Sequence, residues 1–314
     1  MTASIMNSVR PSQRGLMYGP SLNPTLSEAE RHYRKALQLC RWRAPVYRDE
    51  AAANLIGLGT LAQIRGRFRK TLRLASRAIR EAGRAEDARH VIAGERLMGA
   101  AYKVLGKRAE AEAHIQTGIE MSQACGAHLE RVRLLLFYGY LLYDRAALEN
   151  FAPLDAREIF REALAQAERV QQSYCIFEAK ISLGWCALAM GATDEAAQWF
   201  DPLTEALPGG RHADLHAGLD LGLAGVAHQR EEWDKARSLY AMVLNSHREE
   251  FSNSSWSRAY VGLGAIEWHT GHRTEAESAW KQALRLAGKV SPARKELAAQ
   301  SIRICKADRH AVER

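Results

Sequence analysis

The sequence is poor in proline and has no long apolar run. Only eight of its 314 residues are proline, and its abundance of alanine, leucine, arginine and glutamate favours helices over sheets. No apolar segment approaches the ~18 residues that a membrane-spanning helix needs, and the N-terminus lacks the apolar block of a secretory signal. We therefore expect a soluble, cytoplasmic, helical protein without membrane insertion.

The sequence also lacks the patterns that support catalysis or bind metals. Its five cysteines never form C-x-x-C, which predicts reduced core cysteines rather than a disulfide framework or a zinc site. A P-loop, a G-x-S-x-G elbow and an H-E-x-x-H helix are all absent. His212 and His216 have the spacing of two metal ligands on one helical turn, but they follow an expected turn and are interpreted as surface histidines. We expect no metal, no other cofactor and no enzymatic activity.

What the sequence does contain is a repeat. A small residue in the second half of each copy recurs at intervals of 42, 40, 45, 40, 40 and 40 residues, which predicts an array of repeated units rather than unrelated amphipathic helices. These markers are Ala29, Thr71, Ala111, Ala156, Ala196, Ala236 and Ala276. Six copies are complete, and a half copy precedes them. The extra residues of the longest interval fall within residues 145–156 and predict a protruding loop that exposes Phe151.

Each copy holds two apolar-periodic segments of helical length, so the predicted unit is a helix-turn-helix hairpin. In four copies a glycine joins the segments and is expected to end the first helix in the left-handed conformation. These junction glycines are Gly66, Gly106, Gly191 and Gly271. Another glycine lies inside the first helix, as at Gly184, where only a hydrogen leaves room for Ala196 and Phe200 of the second helix.

These residues resemble the tetratricopeptide repeat, whose pattern W-x2-L-G-x2-Y, A-x3-F and P is matched by Leu183-Gly184, Ala196, Phe200 and Pro208. The resemblance implies an all-α, right-handed superhelical solenoid of antiparallel helix hairpins, with first helices along a concave groove and second helices on a convex face. The usual period is ~34 residues. The longer copies in this chain are similar to those of MalT-like activators, peptide-pheromone regulators and kinesin light chains.

The ends of the chain are expected to differ from the array. We predict a flexible leader at 1–24, the solenoid at 25–290, a capping helix at 291–306 and a tail at 307–314. Ser291-Pro292 predicts an N-cap followed by proline at the first helical position, and such a helix would cover the last apolar face. The leader contains arginines and serines but no acidic residue, a composition that also weakly suits an organelle transit peptide.

The residue after each Leu-Gly pair, with those four before and three after it, is expected to face the groove. The candidate partner-binding residues at these positions are Arg96, Lys103, Tyr140, Tyr143, Trp185, His228 and Trp268. Central aromatics, with bases toward the N-terminal side, suit a peptide or amphipathic helix that has apolar anchors and an acidic end. The alternative is that aliphatic residues at the same positions belong to the core between hairpins. These are Leu136, Ile181, Leu188 and Leu221.

Charge is unevenly distributed along the chain. Residues 1–120 contain 21 Lys or Arg against 11 Asp or Glu, a net charge of +10, whereas the remainder carries −2. The excess is greatest on one predicted second helix, where five arginines at helical spacing form a basic stripe on the convex face: Arg69, Arg73, Arg77, Arg80 and Arg84. Such a stripe would suit phosphates or an acidic partner. A solvated face is the commoner explanation, since no interleaved aromatics or nucleic-acid motif accompany it.

The sequence thus predicts a non-enzymatic scaffold or adaptor that binds a peptide or helical segment of a protein partner in its concave groove. The first alternative is a ligand- or peptide-sensing module of a bacterial regulatory system, in which binding changes the superhelical pitch. The second alternative is binding of nucleic acid or an acidic partner through the basic stripe.

Overall fold

The described part of the chain is helical. The structure, a computed structural model, describes residues 26–42, 47–207, 212–245 and 252–312, and the predicted leader at 1–24 lies outside them. Fourteen α-helices and no strand lie in these ranges, which confirms the all-α class. In chain order the helices are α1 Leu26–Trp42, α2 Arg48–Ile64, α3 Phe68–Arg84, α4 Ala88–Val104, α5 Arg108–Ala124, α6 His128–Glu149, α7 Leu154–Arg169, α8 Ser173–Ala189, α9 Thr193–Ala206, α10 Ala213–Gln229, α11 Trp233–Asn245, α12 Ser252–His269, α13 Arg273–Val290 and α14 Pro292–Val312. None of these helices combines the length and apolar character needed to cross a bilayer.

The helices form six hairpins, from α2/α3 to α12/α13, with α1 before them and α14 after them. Each helix packs against the next along the chain, and the first helices of successive hairpins also contact one another. The second helices of successive hairpins make no comparable contact within the described ranges. Because the first helices lie closer together than the second helices, the array curves with its first helices inside. The predicted solenoid, with first helices on the concave face, is confirmed.

The hairpin turns carry the predicted junction glycines. Gly66, Gly106, Gly191 and Gly271 have φ angles of 69°, 77°, 72° and 91°, a left-handed conformation that glycine adopts without steric strain. The corresponding turn after α6 has Asn150 in the same region, with a φ of 59°. The prediction that these glycines end the first helices is confirmed.

One aromatic side chain shows how neighbouring hairpins pack. Phe200 of α9 is completely buried. A Cβ built on Gly184 of α8, or on Gly222 of α10, would stand 2.5 Å from the Phe200 ring, which is too close for any larger residue. Phe200 therefore fills the space between two successive first helices, and close packing offsets the helix propensity lost at the glycines. The cores also bury Cys175 but leave Cys125 exposed, so the expectation of core cysteines was wrong for Cys125.

The insertion in the third hairpin lengthens a helix instead of forming the expected loop. Helix α6 has 22 residues, whereas α4 and α8 each have 17, so more than one turn is added to α6. Only the short segment at 150–153 is irregular. Phe151 within it and Leu154 at the start of α7 are exposed, with 70% and 58% of their surfaces accessible. The prediction of an exposed Phe151 is confirmed, but that of a protruding loop was wrong, because the alanine- and leucine-rich insertion continues the helix.

The last helix is longer than predicted and reaches across the concave side. Helix α14 extends to Val312, so most of the expected tail at 307–314 is helical. It packs on α12 and α13, and it also contacts α4 and α6. Two ion pairs join it to these distant hairpins, Arg294 to Asp144 at 3.8 Å and Glu296 to Arg108 at 2.9 Å. The chain's C-terminal end therefore bridges the sixth hairpin to the second and third.

Candidate functional site: the concave groove

Three aromatic side chains stand on the first helices that line the groove. Tyr140 and Tyr143 lie on α6 and Trp185 on α8, and all three are half-buried. Core rings support them from below: Tyr140 contacts Phe160 edge-on at 5.3 Å between centroids, and Trp185 contacts Phe200 at 6.4 Å. The Trp185 Nε1 donates a hydrogen bond to the Gly218 carbonyl at 3.3 Å. The aromatic wall is therefore fixed in orientation while part of each ring stays accessible.

A polar network joins two of the groove helices. The Tyr140 hydroxyl donates to a carboxylate oxygen of Glu178 at 3.3 Å and lies 3.0 Å from the Ser182 hydroxyl. Burial, with a contribution from the Asp214 carboxylate, raises the pKa of Glu178 to about 7. Burial also raises the pKa of Tyr143 to about 12, so this phenol is neutral at physiological pH.

The two predicted groove bases already have acidic partners. Lys103 Nζ is 2.9 Å from Asp144, which also pairs with Arg294. Burial raises the pKa of Asp144, but Lys103 and Arg294 outweigh this effect and hold it below its ordinary value. Arg96 Nε lies 3.6 Å from Glu130. Both predicted bases lie in the groove region as half-buried side chains, but each already faces a carboxylate group of the same chain.

The sequence reasoning missed a groove cation that has no such partner. Arg258 of α12 lies over the Trp185 ring, 4.0 Å from its centroid, and forms no ion pair with any described carboxylate. Its side chain is accessible along the groove, but protein encloses it on the other sides, and this burial lowers its pKa. Arg258 lies seven residues before Ala265, one helical turn outside the range used for prediction. Glu178 precedes Trp185 by the same interval, so extending the range by one turn finds both residues.

The last two predicted groove residues lie away from this wall. His228 is half-buried against Trp233 and His269, with ring centroids 5.4 and 5.6 Å away. Burial, with the nearby His269, lowers its pKa to about 4. Trp268 is only 7% accessible and packs against Trp280 in the core that α14 completes. The prediction of Trp268 as an open groove residue was wrong, because the terminal helix covers it.

The aliphatic groove positions belong to the core, as the alternative interpretation predicted. Between 2% and 7% of their surface is accessible. They are Leu136, Ile181, Leu188 and Leu221. The aromatic residues and Arg258 therefore stay accessible in the groove, whereas the aliphatic residues at the neighbouring positions do not.

The basic stripe lies on α3, on the convex side. Four of its arginines, Arg69, Arg73, Arg80 and Arg84, are exposed, and Arg77 is half-buried. Arg80 donates to Ser76 at 3.0 Å, and Arg84 lies 3.8 Å from Glu81. No aromatic ring of the described residues stacks on the stripe. Arg84, at one end of the stripe, lines an open cavity of about 750 Å³ together with Arg48, Asp87 and Arg89.

Comparisons with known proteins identify the fold. Neither a protein-family model nor a curated protein matches the sequence. Among solved structures, a tetratricopeptide repeat protein from Parabacteroides merdae is similar, with 18% identity, coverage of 88% of this chain and 92% of that chain, and a TM-score of 0.56. The Rap conjugation gene regulator of plasmid pLS20, solved with the Phr* peptide, has 15% identity, coverage of 84% and 70%, and a TM-score of 0.65. NprR, solved with its cognate peptide NprX, has 11% identity, coverage of 93% and 86%, and a TM-score of 0.61. The chain therefore has a tetratricopeptide-type fold, as the repeat pattern predicted.

Proposed function

We propose that this chain is a non-enzymatic scaffold that binds a peptide, or a helical segment of a protein partner, in its concave groove. The observation that carries the proposal is the wall of Tyr140, Tyr143 and Trp185, which stays partly accessible while the aliphatic groove positions are buried. Aromatic residues with a polar end concentrate at binding surfaces, because they bury a large area and still offer a hydrogen bond.

Two structural neighbours support a peptide as the ligand. The Rap regulator of pLS20 was solved with a Phr* peptide and NprR with NprX. At 15% and 11% identity these structures transfer no binding residue to this chain. The proposal therefore depends on the groove residues of this chain and takes from its neighbours only the class of ligand.

A sensing role is the second candidate, and the position of α14 favours it. This helix bridges the sixth hairpin to α4 and α6 across the concave side. A peptide that widens or narrows the groove would therefore move α14 relative to these helices. Small-angle scattering distinguishes the two roles, since a sensor changes its radius of gyration on binding and a static scaffold does not.

Selection from a displayed library of random peptides tests the proposed function. The wild-type chain is expected to yield a consensus sequence, and the variant Tyr140→Ala/Tyr143→Ala/Trp185→Ala is expected to lose the selected peptides. The matched control changes three convex side chains, Arg69→Gln/Arg73→Gln/Arg77→Gln, and is expected to keep them. Absence of any consensus would show that peptide binding is wrong. Retention of the peptides by the aromatic variant would place their site elsewhere.

A further inference from the structure

Arg258 combines enclosure, accessibility and the absence of an anionic partner. The guanidinium stacks on Trp185 at 4.0 Å from the ring centroid and makes no hydrogen bond or ion pair to a described side chain. Arginine presents several N–H donors in a rigid planar fork. All of these donors are therefore free to bind a group that enters the groove.

No nearby carboxylate of the described residues is available to neutralise Arg258. The carboxylate that acts on it electrostatically is that of Asp144, and Asp144 is already shared by Lys103 and Arg294 at 2.9 and 3.8 Å. Both Lys103 and Arg294 add positive charge to the same part of the groove. An incoming anion would therefore meet an uncompensated positive potential, in a setting where the surrounding protein reduces screening by water.

We propose that Arg258 binds a carboxylate of the peptide in the groove, with Trp185 holding the guanidinium in place. This inference rests on the proposed function and adds the chemistry of its ligand, an Asp or Glu side chain or the terminal carboxylate of the peptide. The planar fork of arginine matches a carboxylate with two parallel hydrogen bonds. The sequence pattern predicted that the acidic end of the ligand would bind at Arg96 and Lys103. This inference places it at Arg258 instead.

The test compares wild type with Arg258→Met, which keeps an unbranched apolar stem over Trp185. Peptides selected by the wild-type chain are expected to share one acidic position or to require a free terminal carboxylate. Arg258→Met is expected to bind the selected peptide roughly 10- to 100-fold more weakly, the factor for one charge-assisted hydrogen-bonded contact. The control Arg161→Met alters a cation on the second helix α7 that already pairs with Glu158 at 2.6 Å, and it is expected to change affinity less than about threefold.

Changes in the peptide identify which carboxylate is bound. Replacing the consensus Asp or Glu by Asn or Gln is expected to weaken binding to wild type but not to Arg258→Met. If the terminal carboxylate is the ligand, a C-terminal amide shows the same pattern instead. Such a double-mutant cycle isolates the contact from general effects of either change.

A smaller substitution checks the inference independently of any effect of Arg258→Met on folding. Arg258→Lys keeps the positive charge but removes the planar fork, and it is expected to weaken binding of the acidic peptide roughly 3- to 10-fold, with no effect on its amide counterpart. Equal affinity of wild type, Arg258→Met and Arg258→Lys for the selected peptide would overturn the inference and leave peptide binding intact. Failure to select any peptide would overturn the proposed function, and this inference with it.

Discussion

The convex and concave faces both carry arginine, but they differ in what surrounds the charge. Four of the five stripe arginines on α3 are exposed to water, where solvent and salt weaken any ion pair. On the concave face the guanidinium of Arg258 is also accessible to water, but it stacks on Trp185 and protein surrounds its other sides. A single enclosed charge can bind an anion more strongly than several open ones. The protein that surrounds Arg258, rather than the number of charges on either face, therefore indicates where the candidate site lies.

The largest expected effect comes from removing the support beneath the concave wall. Phe200 is completely buried and contacts both Trp185 and the glycines of two first helices. Phe200→Ala is expected to lower the free energy of unfolding by about 3–5 kcal/mol, because a large cavity opens between α8 and α10. Urea denaturation followed by circular dichroism measures this change.

The matched control for Phe200→Ala is the same substitution at an exposed position. Phe151 is 70% accessible, and Phe151→Ala is expected to change the free energy of unfolding by less than about 0.5 kcal/mol. Similar losses for the two variants would contradict the assignment of Phe200 to the joint between hairpins.

The next largest effect separates the two arginine-bearing faces directly. Arg258→Glu places a negative charge in the enclosed site and is expected to weaken binding of the selected acidic peptide by about 100-fold or more. Arg73→Glu makes the same change on the exposed stripe and is expected to alter affinity less than about threefold. Isothermal titration calorimetry measures both. Comparable losses would mean that long-range charge, and not enclosure, governs binding.

The repeat and its packing could be predicted because they depend on residues close in sequence. Gly184 and Phe200 are only 16 positions apart, and their contact recurs in phase along the chain. The steric demand for a small residue opposite an aromatic is visible in the pattern itself. The fold class, the turn glycines and the concave face of first helices were therefore all predictable.

Which groove cations are already paired with carboxylates could not be predicted, since the pairing depends on residues far apart in the chain. Lys103 pairs with Asp144 on the next first helix, and Asp144 also pairs with Arg294 from the C-terminal helix. Nothing in the local sequence pattern shows that α14 crosses the concave side. The Asp144–Arg294 ion pair that results also contributes to the electrostatic surroundings of Arg258. Trp268 was misassigned for the same reason, because its cover is the helix that follows the array.

A moderate effect of pH is expected from the carboxyl group in the concave wall. The pKa of Glu178 is raised to about 7 from an ordinary value of 4.5 by burial and by Asp214, so the folded state binds this proton more tightly than the unfolded chain. The contribution of Glu178 to the free energy of unfolding is therefore greatest below pH 4.5 and is lost as the pH rises from 4.5 to about 7. Glu178→Gln is expected to remove this dependence, which amounts to at most about 3 kcal/mol over the whole interval.

Melting temperatures measured across this pH interval test the role of Glu178. The glutamine variant is expected to show a flatter profile than wild type and to be the more stable of the two above pH 7. Glu277→Gln changes an exposed carboxyl group on α13 and is expected to leave the wild-type slope. A Glu178→Gln profile parallel to that of wild type would assign the pH dependence to other groups.

The smallest effect is expected from the convex stripe. Arg69→Gln/Arg73→Gln/Arg77→Gln is expected to change the free energy of unfolding by less than about 0.5 kcal/mol per site, because these side chains lie at the surface. If the stripe binds nucleic acid, log K for single-stranded RNA falls with log salt, and losing three phosphate contacts makes that slope shallower by about 2. Fluorescence anisotropy at several salt concentrations measures both slopes. Equal slopes for wild type and variant would show that the stripe is a solvated face despite its charge. Arg258 would then remain the anion site that the comparison of the two faces favours.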